Sequence, residues 1–151
     1  MRPRVLVSLC LLGAACRYDG RDNGVDLTAL EARCELVPVC PEQLGGLPTP
    51  RPPAERRGDQ VVTRDGRDVT AGFERGAAQA ALLAERFGAR YALLKARSPS
   101  CGVGGIYDGS FSGQTVPGMG VTAEALRRRG IRLYDERHID DLLKELDGDR
   151  S

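Results

Sequence analysis

Four short apolar runs set the limits on what this chain can become. They fall at residues 4–9, 35–39, 91–94 and 131–134, and turn-forming or helical patterns bound each of them. Val5-Leu6-Val7 in the first is apolar and uninterrupted, with a β-branched valine at either end, the mark of a strand covered on both faces. The stretches between the runs carry helical spacing instead. Residues 27–34 place Leu27 and Leu30 together, with Asp26 as the N-cap. Residues 70–87 place Phe73, Ala77, Ala80, Ala81 and Ala84 on one face, with Thr70 as the cap and Gly88 as the stop. Residues 122–129, stopped by Gly130, and residues 140–146 complete the set. Strand alternating with helix implies a mostly parallel sheet with helices packed on it. The expected fold class is therefore α/β: a single compact domain over residues 1–151, Rossmann-like and three-layered. A chain of 151 residues is long enough to bury one such core.

Three segments break the alternation. Residues 45–53, Gly-Gly-Leu-Pro-Thr-Pro-Arg-Pro-Pro, cannot sustain helix or sheet pairing and are read as loop. Residues 61–66 are read as a small hairpin or edge segment, and residues 97–117, rich in Gly and Ser, as a second long loop.

The cysteines give this frame its chemistry. There are five, an odd number, widely scattered, and none forms a C-x-x-C pair. That pattern argues against a disulfide framework, and local spacing supports neither a zinc ribbon nor a ferredoxin-type run. Cys10 follows the first strand, Cys40 the second, and Cys101 comes shortly after the third. Parallel strands deliver their carboxyl ends to one edge, which is where open α/β sheets bind ligands. Three cysteines about 30 and 60 residues apart in sequence can therefore meet there in a metal site. Three thiolates suit either a zinc ion with a further ligand or a four-iron cluster with one iron left open. Cys16, within a turn, and Cys34, at a helix end, are read as buried packing residues.

Several motifs then fall into a known pattern. Residues 7–13 (VSLCLLG), 17–20 (RYDG), 39–53 (VCPEQLGGLPTPRPP), 95–102 (KARSPSCG) and 106–113 (IYDGSFSG) resemble, in order, the domain family that contains the bacterial thiouracil desulfidases. The resemblance runs from about residue 4 to about residue 135. It implies a [4Fe-4S] cluster held by Cys10, Cys40 and Cys101, with one iron open to the sulfur of a thiolated base. It also implies that sulfur leaves without redox change while water supplies the oxygen. The family's catalytic carboxylate falls on Glu42 and its catalytic serine on Ser98, with Ser100 the alternative hydroxyl. Read without the family, Glu42 is equally a first-turn acid after Pro41, and the two serines are equally turn residues around Pro99. Arg51 and Lys95 can face either substrate or solvent, and Phe111 is available to stack on a planar base.

Charge narrows the partners. Lys plus Arg number 22 and Asp plus Glu 21, so the chain offers no basic footprint for intact nucleic acid. A small thiolated nucleobase or nucleoside is the expected substrate. The basic run Arg127-Arg128-Arg129 suits a helix C-terminus, and His138 is expected to cap or pack the last helix. No apolar run approaches the roughly 20 residues of a membrane span. Arg2, Arg4 and residues 5–16 superficially mimic a lipoprotein signal, but Ser8 and Cys10 interrupt the apolar stretch, and a cytoplasmic location is expected. Two competing functions remain. One is a non-catalytic iron–sulfur, zinc-binding or sulfur-carrier module, which would not need Glu42. The other is a metal-free cysteine redox enzyme, which would need a reversible disulfide.

Overall fold

The structure, a computed structural model, describes residues 2–149; Met1, Arg150 and Ser151 of the expected domain span lie outside the described residues. In chain order the first elements are β1 (Arg4–Ser8), a 3-10 turn (Leu9–Leu12), α1 (Thr28–Glu31), β2 (Glu35–Val39) and α2 (Pro41–Leu44). A hairpin of β3 (Ala54–Arg57) and β4 (Gln60–Thr63) leads into α3 (Thr70–Phe87) and β5 (Tyr91–Leu94). A second hairpin, β6 (Gly105–Tyr107) with β7 (Thr115–Pro117), precedes α4 (Val121–Arg128) and β8 (Arg132–Asp135). A 3-10 turn (Glu136–His138) and α5 (Ile139–Asp149) close the chain.

The central sheet has the order β2-β1-β5-β8, and each pair in it is parallel. Period-two alternation along the strands divides the core into two halves. Val5, Val7, Tyr91 and Leu93 pack with Leu27, Leu30, Leu142 and Leu146, which places α1 and α5 on one face. Leu6, Ala92 and Leu94 pack with Ala80, Ala81, Ala84, Ala123 and Leu126, which places α3 and α4 on the other. The result is three layers, as the alternation predicts. Strand β1, buried from Val5 through Ser8, is a central strand of the sheet.

Several boundaries differ from expectation for local reasons. The helix expected at 27–34 closes after Glu31 and becomes a turn before β2. Thr70 does not cap α3: Asp68 Oδ1 accepts the Thr70 N–H at 2.9 Å. The Thr70 hydroxyl instead accepts the Val61 N–H at 2.8 Å, tying the helix to β4. The expected hairpin near 61–66 exists, but its partner strand lies upstream in β3. Residues 97–117 are not all loop. Their β6–β7 pairing is three residues long, and β7 is exposed throughout, so no buried pattern announces it.

Close backbone packing fixes α2. Gly76 of α3 sits against it so tightly that a Cβ there would lie 1.8 Å from the Pro41 carbonyl oxygen. A Cβ on Gly45 would likewise meet the Gly72 carbonyl oxygen at 1.9 Å. Pro41 occupies the first turn of α2, where its missing N–H costs nothing. This single helical turn is thereby clamped onto the long helix, together with the residues flanking it.

Candidate active site

The chain leaves β1 toward β2 on one side of the sheet and reaches β5 on the other. A crevice opens at such a switch in strand order, outside the carboxyl ends. It is occupied by a cavity of about 580 Å³ lined by, among others, Cys10, Cys16, Cys40, Glu42, Arg51, Ser98 and Cys101. Cys10 comes from the 3-10 turn after β1, and Cys40 is the residue from which α2 starts. Cys101 belongs to the turn after β5, where Ser98 Oγ accepts the N–H groups of both Ser100 and Cys101 at 3.0 Å. A second close approach holds that turn: a Cβ on Gly120, at the start of α4, would lie 2.3 Å from the Ser100 carbonyl.

All five cysteines are free thiols. Burial pushes the Cys101 thiol up to about 12, and hydrogen bonds from Ser8 and Ser100 oppose it only partly. Cys16 is likewise raised to about 12, chiefly by burial and then by Cys40 and Cys10 beside it. Burial also raises Cys10, opposed by a hydrogen bond from Asn23. Without a metal centre these sulfurs hold their protons, and binding one would release them. Among the described residues, no group of three or more His, Cys, Asp or Glu is gathered closely enough to hold a metal ion. A single zinc ion with bonds of about 2.3 Å needs its donors within ~4 Å of one another. A cluster carries each ligand on a different iron and accepts donors spread around it. The cysteine sulfurs that line the cavity are the donor type that iron–sulfur clusters take.

Glu42 projects from the first turn of α2 and meets Arg51 of the proline-rich loop, with Oε2 2.6 Å from Nη2 and 2.7 Å from Nε. Burial raises the Glu42 carboxyl above its ordinary range, and the Arg51 guanidinium opposes the rise. Arg51 also donates to the carbonyls of Pro48 and Cys16 and to Thr49 Oγ1, so its pose is fixed from several sides. Lys95 lines the same cavity, its ammonium 2.8 Å from Glu136 Oε2. The other oxygen of Glu136 accepts the Ala96 N–H at 2.7 Å. Ser98 lines the cavity, whereas Ser100 is buried behind it with its hydroxyl 2.8 Å from Thr122 Oγ1.

Phe111 and Tyr107 line a further part of the cavity. Phe111 has a φ of 58°, a conformation uncommon for a side chain of this size. Buried Glu55 holds it there by accepting the N–H groups of Gly109 at 2.9 Å and Phe111 at 3.1 Å. The Arg64 guanidinium lies 5.5 Å from the centre of the Phe111 ring.

Sequence reasoning missed some of this cast. Cys16, expected as a packing residue, is indeed buried but lines the cavity beside Cys40. Asn23 places its amide nitrogen 3.3 Å from Cys10 Sγ. Neither is foreshadowed by strand ends or helical period, because both lie in the irregular 13–24 segment. Cys34 matches expectation, buried with its thiol donating to the Leu30 carbonyl.

Fold and site together define an α/β protein with a thiol-lined cavity at the carboxyl edge of a parallel sheet. A model of the 2-thiouracil desulfurase family matches residues 5–138, and the chain belongs to that family. It is 41% identical over 150 residues to YbbK of Bacillus subtilis (strain 168), a protein described as uncharacterized; the match covers 92% of this chain and 99% of YbbK. The solved structure of the [4Fe-4S]-dependent thiouracil desulfidase TudS superposes with a TM-score of 0.93 at 49% identity. That match covers 97% of this chain and 99% of TudS.

Proposed function

We propose that this chain is an iron–sulfur-dependent desulfidase that exchanges C=S for C=O on a small thiolated pyrimidine such as thiouracil. The reaction adds water at the thiocarbonyl carbon and expels sulfide, R₂C=S + H₂O → R₂C=O + H₂S, with no change in oxidation state. The observation that carries this reading is the meeting of Cys10, Cys40, Cys101, Glu42 and Ser98 around one cavity. In this proposal Cys10, Cys40 and Cys101 hold a [4Fe-4S] cluster at the carboxyl ends of the strands. When bound, the cluster supplies a thiophilic Lewis acid for the departing sulfur.

The protein's own groups do the rest. Glu42, kept available as a carboxylate by Arg51, takes a proton from the attacking water. Ser98 accepts two backbone N–H groups through its oxygen, which leaves the hydroxyl proton free to donate into the cavity. Ser100, packed on Thr122, keeps that turn in place. Phe111 and Tyr107 offer flat apolar surface to a planar base and keep water off it. A single domain and a reducing, cytoplasmic setting complete the proposal, the latter because it keeps such thiols free. A module that only carried metal or sulfur would have no use for a half-buried carboxylate facing the same cavity.

The test is sulfide release from 2- and 4-thiouracil by anaerobically reconstituted protein. Glu42→Gln should keep its cluster and lose about 100-fold or more in rate. Undiminished sulfide release by that variant would remove Glu42 from the chemistry and favour a carrier role.

A further inference from the structure

We propose that Asn23 is a positioning residue for Cys10, its carboxamide N–H fixed on the sulfur so that it weakens the thiolate as a donor to the centre it holds. The proposal rests on the reading of Cys10 as a cluster ligand.

An asparagine beside a sulfur can present either end of its amide, and the neighbours decide which. Asn23 Oδ1 accepts from Arg17 Nη1 at 3.3 Å. Arginine has only donors, so the oxygen must face Arg17 and the nitrogen must face Cys10 Sγ, 3.3 Å away. Arg17 is itself pinned, with Nη2 3.1 Å from Asp19 Oδ2 and its backbone N–H 2.9 Å from the Arg21 carbonyl oxygen. Asp19 in turn holds Arg21 through both backbone and side chain at 3.0 Å. The backbone leaves the side chain little freedom, since the Asn23 N–H donates to the Cys10 carbonyl at 3.0 Å. Val25 N–H repeats the contact one step on, to Leu11 O at 3.0 Å. An Asp19–Arg17–Asn23 relay thus aims one N–H at one sulfur.

Aiming a donor at that sulfur has a chemical consequence. A thiol sulfur is a weak acceptor and a thiolate a strong one, so the contact strengthens when Cys10 loses its proton to a metal. Hydrogen bonds to ligand sulfurs draw charge from the centre and raise its reduction potential. The reaction is non-redox, but the same withdrawal makes the centre a better acceptor for sulfur. Cys101 has hydroxyl neighbours instead, Ser8 and Ser100, while the amide N–H of Asn23 falls on Cys10.

The experiment uses the anaerobically reconstituted full chain, with the midpoint potential read by an EPR-monitored redox titration. Asn23→Leu removes the donor. Asn23→Asp keeps an acceptor for Arg17 but turns a carboxylate oxygen to the sulfur. Arg17→Leu frees the amide to turn. The potential should move to more negative values in the order Arg17→Leu, Asn23→Leu, Asn23→Asp. Thermal melting of the metal-free Asn23→Leu should stay close to wild type. An unchanged potential in cluster-loaded Asn23→Leu, with a lowered melting point, would overturn the proposal in favour of a loop-tying role. Should Asn23→Leu fail to fold, Arg17→Leu decides: a negative shift supports the relay and an unchanged potential overturns it. Failure of the wild type to take up a cluster would be distinguishable, because it removes the underlying reading along with this one.

Discussion

The two edges of the central sheet treat polar side chains in opposite ways. At the amino edge, Arg4 pairs with Glu35, Arg129 with Glu85, Arg33 with Asp147 and Arg132 with Glu145, all partly or largely in contact with solvent. At the carboxyl edge, Arg51 pairs with Glu42, Lys95 with Glu136, and Asp135 holds Arg137 and His138, and at least one partner in each pair is withdrawn from water. The strands are the same four, and only their direction distinguishes the ends. Exposed pairs contribute little to stability, whereas buried ones are costly to break. Among the described residues, the most shielded charges lie at the edge that carries the cavity.

Breaking the buried pair at Glu42 should have the largest effect. Arg51→Leu leaves the Glu42 carboxyl without its cation, and should lower unfolding free energy by about 3 kcal/mol in urea titration. The double variant Glu42→Gln, Arg51→Leu should recover part of that loss, since no charge is then left alone. Next comes Gly76→Ala, whose methyl must displace the Pro41 carbonyl. It should cost about 2 kcal/mol and reduce iron uptake, because α2 carries Cys40 with it.

A smaller effect is expected at Asp135. Burial alone would raise its carboxyl, but hydrogen bonds from Arg137 and His138 outweigh that and hold it below the usual range. It also caps the 3-10 turn before α5. Asp135→Ala should cost about 1 kcal/mol at pH 7. A depressed carboxylate stabilises the fold above its unfolded pKa of about 3.9 and loses that contribution as pH falls through its lower folded value. The difference from wild type should therefore shrink below about pH 4. Smallest of all, Arg4→Ala or Arg129→Ala at the amino edge should change stability by about 0.5 kcal/mol or less, and less still in high salt. A loss of 2 kcal/mol there would erase the contrast between the edges.

Much of this was legible in the sequence, and the reason is periodicity. Val5-Leu6-Val7 and the Phe73–Ala84 face announce a central strand and its covering helix because burial repeats at the period of each element. Cys10, Cys40 and Cys101 were legible as a group because parallel strands gather their ends. The β6–β7 hairpin was not, since strands of three residues are too short for a period and β7 is exposed throughout. Cys16, Asn23 and the grip of Arg51 on Glu42 were hidden for a related reason. They depend on how irregular loops fold back, which hydrogen bonds such as Asn23 N–H to Cys10 O decide.

Cys10, Cys40 and Cys101 are proposed to hold a cluster at the carboxyl edge. The direct measurement is iron and acid-labile sulfide content after strictly anaerobic reconstitution, for wild type and for the Cys10/Cys40/Cys101 triple-alanine variant. About four irons and four sulfides per wild-type chain are expected, and none in the variant. A wild type that binds no iron, or a triple variant that retains a full complement, would contradict it.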